Sequence, residues 1–168
     1  MVYIYVEDKN EGLHLMRMAA NKYNIDVTKI LIDNFNGIFN LITHIEGLNL
    51  CNSDKVYYIY DSIEGNTDIP IIVKNANARL NSLNLSVQVQ LLPIVCLEYH
   101  ILAAQNMELF IHKTCIDAVE ALKMCNVDTI TEETKSLDIF STDYDSIRKR
   151  QEKALRKRNA IDSIEAHE

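Results

Sequence analysis

Two acidic positions stand out because each comes at the point where an apolar run ends. Glu7 closes the first such run of the chain and Asp61 closes the third, with Glu64 three residues later and Glu98 after the fourth. Carboxylates gathered in one place repel each other, and a hard divalent cation removes that cost. Mg²⁺ is usually held by one or two carboxylates together with water and phosphate. The pattern therefore indicates a Mg²⁺ or Mn²⁺ site for phosphate chemistry.

A purely structural role for these acids competes with the metal site. Acidic residues at strand ends are also ordinary helix N-caps, because they interact favourably with the positive end of the helix that follows. Glu64 and Glu98, taken singly, fit that role better. Glu7 and Asp61 end strands that can be neighbours, which favours a shared site for this pair.

The elements that must position these acids are short β-branched or aromatic runs alternating with helical periodicities. This alternation predicts an α/β sandwich of the Rossmann-like kind, with about four parallel strands, helices on both faces and further C-terminal helices. Crossovers should be right-handed, and sites in such sheets form beyond the carboxyl ends of the strands. The predicted strands are 2–6, 28–32, 55–60 and 85–92, the last closed by Pro93, and the predicted helices are 10–23, 38–45, 69–83, 97–105, 109–125 and 145–166.

Composition places the chain among folded, non-membrane proteins. Its 168 residues fit one domain of ordinary size, and 48% of them are apolar. Apolar runs fall short of the ~20 residues of a membrane span, and the N-terminus lacks the basic region of a signal peptide. We expect a soluble, cytoplasmic protein with no membrane partner. The four cysteines form no CxxC pair and are predicted to be buried, reduced thiols.

Charge is concentrated near the C-terminus. Residues 148–158 hold seven basic residues and one acid, a local charge of +6, whereas the whole chain has a net charge of -7. The remainder therefore carries -13, so global charge does not favour nucleic-acid binding, but a local basic arm does. One division that fits this pattern is an α/β domain over 1–127, with its core in 2–105, followed by a hinge and a detached basic helix over 128–168.

The basic helix could bind the phosphate backbone of RNA or DNA through a shared face. Steps of three and four residues join several of its cations, and neutralising phosphates would release counterions. A solvated helix, or one docked on the acidic body, is the competing structural explanation. Aromatic residues that could stack on bases are missing from it, so sequence-specific readout is not indicated. The candidate contacts are Arg148, Lys149, Lys153, Arg156 and Lys157.

The segment YIYVEDKNEGLHLMRMAANKY resembles the first motif of Toprim (topoisomerase–primase) domains, especially those of OLD-type nucleases and related small prokaryotic defence proteins. In that motif an apolar strand ends in Glu, matched by Glu7, and a Lys follows, matched by Lys9; Asp8 stands where Gly is usual. KVYYIYDSIEGN resembles the strand that ends in Asp-x-Asp. Asp61 matches the first Asp, and Ile63 replaces the second.

Two shorter segments extend the resemblance over about residues 2–105. The turn NFNG is similar to the Gly-containing turn after the family's second strand, and LLPIVCLEYHILAA looks like a Pro-x-x-x-x-Glu segment that places Glu98. The resemblance implies a Toprim fold and metal-dependent cleavage or transfer at phosphodiesters. It also implies Glu7 as general acid/base with Lys9 beside it, and metal held around Asp61, with Glu64 as a substitute for the missing Asp. A role in phage defence is implied by resemblance alone.

Two other functions stay open at this point. The replacement by Ile63 fits a Toprim-like module that has lost catalysis and binds a nucleic acid, a protein partner or a second copy of itself. A receiver-like signalling domain also has acids after strand one and an Asp after strand three, around one Mg²⁺. That domain needs a hydroxyl residue after strand four and a Lys after strand five, whereas strand four here ends Leu91-Leu92-Pro93.

Overall fold

The structure is a computed structural model that describes most of the α/β region and part of the C-terminal region. Glu64, Glu98 and Lys157, the predicted helix 97–105 and most of the predicted hinge lie outside the described residues. The described residues are 1–7, 9, 11–62, 65–95, 107–125, 140, 143, 145–153 and 156, with side chains left out at 11, 95 and 107–114.

Strands and helices alternate along the described chain. Residues 145–153 form a further helical segment. The elements are β1 Val2–Val6, α1 Glu11–Lys22, β2 Ile30–Asn34, α2 Ile38–Glu46, β3 Lys55–Ser62, α3 Asp68–Ser82, β4 Val89–Val95 and α4 Met107–Met124.

The four strands form one parallel sheet in the order β2-β1-β3-β4. The direction in which the chain adds strands therefore reverses after β2. α1 connects β1 to β2 on one side of β1, whereas α2 crosses over β1 to reach β3 on its other side. Right-handed crossovers then require α1 on one face and α2 and α3 on the other. The buried clusters agree, because α1 and α4 pack on one face and α2 and α3 on the opposite one. The predicted α/β class, with parallel strands and helices on both faces, is confirmed.

Side-chain alternation along β3 explains how one strand serves both faces. Tyr57 and Ile59 enter the core with α1 and α4, whereas Val56 and Tyr58 enter the core with α2 and α3. All four are at most 2% exposed. A strand buried on both faces needs a continuous apolar and aromatic run, which is what the sequence has here.

The predicted bounds of β2 and β4 are wrong. β2 begins at Ile30 rather than residue 28, because the Asp26 carboxylate accepts hydrogen bonds from both the backbone N–H and the hydroxyl of Thr28 and holds a turn there. β4 runs from Val89 to Val95, so Pro93 lies inside the strand, paired with Tyr60, instead of closing it.

At the two edges of the described sheet, outward backbone groups are blocked in different ways. On β2, the Arg17 guanidinium donates hydrogen bonds to the Ile32 carbonyl at 2.9 and 3.1 Å and pairs with Asp33 at 3.3 Å. On β4, Pro93 is tolerated because an edge strand leaves alternate positions unpaired, so the missing N–H faces outward. At each edge, therefore, at least one outward backbone group is not available to pair with another strand.

The C-terminal helical segment is docked on the domain rather than detached. Ile147, 1% exposed, and Phe140, fully buried, belong to the core cluster that contains α1 and α4. Lys22 of α1 also pairs with Asp143 at 2.5 Å. Gln151, one turn after Ile147, is fully buried. The packing joins residues on both sides of the predicted hinge into one core.

The cysteine prediction holds for two thiols and fails for one. Cys115 and Cys125 are buried and unpaired in the core between α1 and α4. Cys51 is exposed, because it lies in the turn before β3, where its backbone N–H donates to Asp54. Cys96 lies outside the described residues. Among the helices that the structure describes, none is long and apolar enough to cross a membrane.

Candidate functional site

Glu7 and Asp61 meet at the carboxyl end of the sheet. β1 and β3 are adjacent and parallel, and the Glu7 backbone N–H still donates to the Ile59 carbonyl at 3.0 Å. In a regular parallel ladder the next bond would run from the Asp61 N–H to the Glu7 carbonyl. The Glu7 carboxylate accepts that bond instead, with Oε2 2.9 Å from the Asp61 nitrogen. The half-buried carboxylate is thereby fixed against the backbone of β3.

Asp61 lies within β3 rather than after it, which corrects the sequence-based boundary. It pairs with Ile94 of β4, and Ser62 continues the strand by one residue. By alternation from Tyr57 and Ile59, the Asp61 side chain lies on the α1 face of the sheet. β3 extends this far because β4 supplies a pairing partner for both polar residues.

The fold places this pair where open parallel sheets usually bind ligands. In such sheets the crevice forms at the carboxyl ends of the two strands from which the chain winds in opposite directions. With the order β2-β1-β3-β4 those strands are β1 and β3, the strands that carry Glu7 and Asp61. The helices that follow them lie on opposite faces, so the space between the two strand ends is left open.

Tyr58 is part of this site, and sequence analysis missed it. Its hydroxyl donates to the Phe35 carbonyl at 3.4 Å, and the backbone of Gly37 hydrogen-bonds to it. Burial raises the pKa of Tyr58, and the nearby charges of Glu7 and Asp61 raise it further. The hydroxyl therefore stays protonated and ties the turn after β2 to β3. Alternation marks Tyr58 as inward-facing, but a tyrosine inside a buried strand gives no sign of a polar role.

The donor set fits a hard cation in part. Glu7 and Asp61 supply carboxylate oxygens, the ligands that Mg²⁺ and Mn²⁺ prefer, and two protein carboxylates are a usual number for Mg²⁺ that also binds phosphate. No group of three or more potential metal ligands occurs among the described residues. The other two predicted ligands, Glu64 and Glu98, lie outside those residues.

The remaining predicted catalytic residue, Lys9, is exposed two positions after Glu7. None of the hydrogen bonds or ion pairs among the described residues that surround the site involves Lys9.

The predicted nucleic-acid contacts on the C-terminal helical segment divide between two sides of that helix. Lys149, Lys153 and Arg156 are exposed at spacings of four and three residues, which puts them on one face, here called the basic face. Ile147 and Gln151 occupy the opposite side and face the core. Arg148 is half-buried at the flank. Docking of the helix and outward presentation of its charge are therefore compatible.

Compared with models of protein families, with curated proteins and with solved structures, the chain has no significant match.

Proposed function

We propose that this chain is a metal-dependent nuclease of the Toprim type that cleaves phosphodiesters of RNA or DNA. One observation carries the proposal: the Glu7 carboxylate is fixed beside Asp61 at the β1–β3 strand ends, where an α/β sheet binds its ligand. The motif resemblance supports the same pair. A role in phage defence belongs to the proposal through that resemblance.

The roles of the residues follow from their environments. Glu7 and Asp61 would hold a Mg²⁺ or Mn²⁺ ion, which when bound supplies charge for a phosphate and activates water. Glu7 moves a proton as general acid/base, since its carboxylate is half-buried and oriented by the Asp61 N–H. Lys9 attracts the substrate phosphate from the open side, and the basic face adds affinity that does not depend on sequence.

The test is Glu7→Gln. The Gln side chain keeps an oxygen that can accept from the Asp61 N–H, so the fold should persist, but it cannot take up a proton. Loss of general acid/base catalysis costs typically ~10²–10⁴-fold in rate. We expect cleavage of labelled RNA and DNA, measured with Mg²⁺ or Mn²⁺, to fall by that factor while the circular dichroism spectrum is unchanged.

A matched control is Glu46→Gln. Glu46 is an exposed Glu at the end of α2, which topology puts at the opposite end of the sheet, and its ion pair with Arg79 is a surface contact at 3.4 Å. This variant should cleave at the wild-type rate. Equal activity of Glu7→Gln and wild type would remove Glu7 from the mechanism.

A second candidate function is a non-catalytic Toprim-like binding module. Ile63 at the usual second Asp position favours it. In that case the Glu7–Asp61 hydrogen bond serves to close the β1–β3 ladder. Wild-type protein would then bind nucleic acid without cleaving RNA or DNA under any combination of Mg²⁺ and Mn²⁺.

A further inference from the structure

An open groove runs between the carboxyl end of β3 and one side of α3, from the first turn of the helix to its last. It has a volume of about 630 Å³, within the ~300–1,000 Å³ of ordinary ligand sites. It is here called the α3 groove. Tyr60 and Ser62 of β3 line one wall on the α3 side of the sheet, the side opposite to the Asp61 side chain. Since Ser62 is the last residue of β3, the groove reaches the strand end at which the Glu7 carboxylate accepts the Asp61 N–H.

The opposite wall is a single stripe of α3. Val73, Lys74, Asn77 and Asn81 follow one another at steps of one, three and four residues, which places them along one side of the helix. From Val73 to Asn81 the stripe is about 12 Å long at the helical rise of ~1.5 Å per residue. The groove is thus an elongated cleft rather than a closed pocket.

The described lining of the groove is positively charged, whereas the protein as a whole is acidic. In a chain with a net charge of -7, the described lining residues include Lys74 and no acid. None of the ion pairs among the described residues involves Lys74. Asn77 and Asn81 each offer a donor and an acceptor, and Tyr60 offers a half-buried ring beside apolar Val73.

We propose that the α3 groove binds a single-stranded segment of nucleic acid, which leaves the groove at the carboxyl end of β3. The inference rests on the proposed function and names its substrate class. A cation for the backbone, an aromatic ring for base stacking and amides for base edges are the components of single-strand recognition. Bases within a duplex are stacked and paired, so Tyr60 can contact only a base that is already unpaired.

The binding test uses fluorescence anisotropy of labelled single-stranded DNA and RNA, with all divalent metal chelated so that cleavage plays no part. The main variant is Asn77→Asp, which adds a negative charge inside the groove without changing side-chain size. Its matched control is Asn75→Asp, which adds the same charge to an exposed position of α3 that does not line the groove. We expect the first to weaken binding at least tenfold and the second to leave it nearly unchanged.

Lys74 and Tyr60 give two further measurements. Lys74→Gln should lower the slope of log affinity against log salt by ~0.7 on a single strand, whereas Arg79→Gln, on the same helix outside the groove, should not change it. Tyr60→Leu should weaken binding roughly 5- to 150-fold by removing the stacking ring, and Tyr60→Phe should keep most of the affinity.

The outcomes separate this inference from the proposed function. If Glu7→Gln abolishes cleavage but Asn77→Asp and Lys74→Gln bind oligonucleotides as tightly as wild type, the groove inference is overturned and the nuclease stands. If wild type never cleaves but the groove variants weaken single-strand binding, the groove stands and the nuclease is overturned. Preference for duplex over single strands, or a groove that binds only peptide, would also overturn the inference.

Discussion

The docking of the C-terminal helical segment can be tested by truncating one buried side chain. Ile147 is 1% exposed and packs in the core with α1 and α4. Ile147→Ala removes three carbon atoms, worth about 2.4 kcal/mol at ~0.8 kcal/mol for each buried methylene. A cavity adds to that, so the free energy of unfolding should fall by about 3 kcal/mol, within the ~2–5 kcal/mol usual for such changes.

The assay is urea unfolding followed by circular dichroism, with thermal unfolding as a second measurement. A loss of about 3 kcal/mol corresponds to a melting temperature about 6–12 °C lower for a domain of this size. The matched control is Ile71→Ala in α3. Ile71 is 57% exposed, so the same chemical change should alter stability by less than ~0.5 kcal/mol.

A comparison on the same helical segment separates docking from charge. Replacing Lys149, Lys153 and Arg156 by Gln changes only exposed side chains and the weak pair between Arg156 and Glu152, 3.9 Å apart. Exposed pairs of this kind contribute ~0.3–0.5 kcal/mol, so stability should hardly change. An Ile147→Ala variant as stable as wild type would refute the docked arrangement and restore the detached helix predicted from the sequence.

Three further outcomes follow from features described above. The same triple Gln variant should flatten the salt dependence of nucleic-acid affinity by up to about 2–3 log units per log salt for all sequences alike; an unchanged slope rules out the basic face. Gly37→Ala should cost ~1–3 kcal/mol because φ at Gly37 is +90°, whereas Gly47→Ala, at φ -87°, should cost little; equal unfolding midpoints would contradict this. Burial raises the pKa of both Cys115 and Cys125 to about 12, so alkylation of native protein near neutral pH should label Cys51 and spare these two, as mass spectrometry of peptides would show. The folded state holds those protons more tightly than the unfolded chain, so stability should be constant below about pH 9 and fall as pH rises towards about 12, by ~1.4 kcal/mol per pH unit for each thiol. Cys125→Ala should remove its share of that slope in urea titrations.

Elements with strong local signals were predictable from the sequence. β1 matches its predicted range of 2–6 because an uninterrupted β-branched and aromatic run has one good solution in a buried strand. α2 begins at the predicted Ile38 and ends at Glu46, one residue beyond its predicted end, where Gly47 caps the helix. In both cases local propensity and tertiary packing favour the same structure.

Boundaries set by tertiary pairing were not predictable. Asp33 and Asn34 are polar, yet they extend β2 because Tyr5 and Val6 of β1 supply pairing partners. Pro93 predicts the end of a strand unless β4 is known to be an edge strand. Docking of the C-terminal segment stayed open in the sequence for a similar reason: its charges do not show that two positions, Ile147 and Gln151, form a buried side.

The candidate site was likewise predictable from the sequence only in part. That Glu7 and Asp61 lie at the carboxyl ends of strands that can be neighbours could be inferred from the alternation of elements along the chain. The Asp61 N–H donates to the Glu7 carboxylate instead of the Glu7 carbonyl. This choice depends on three-dimensional geometry and cannot be predicted from the spacing of residues in the sequence. Tyr58 and the α3 groove depend on which face of β3 is covered by which helix, and that follows only from the strand order.

The treatment of the two sheet edges has a consequence for self-association. An unprotected edge strand is a template on which another chain can add its own strand, and this is a common route to aggregation. Here Arg17 occupies the outward Ile32 carbonyl of β2, and Pro93 removes an outward N–H from β4. Continuous intermolecular sheets are thereby discouraged at both described edges. A homo-oligomer of this protein should therefore form through its helical faces rather than by pairing of these two strands.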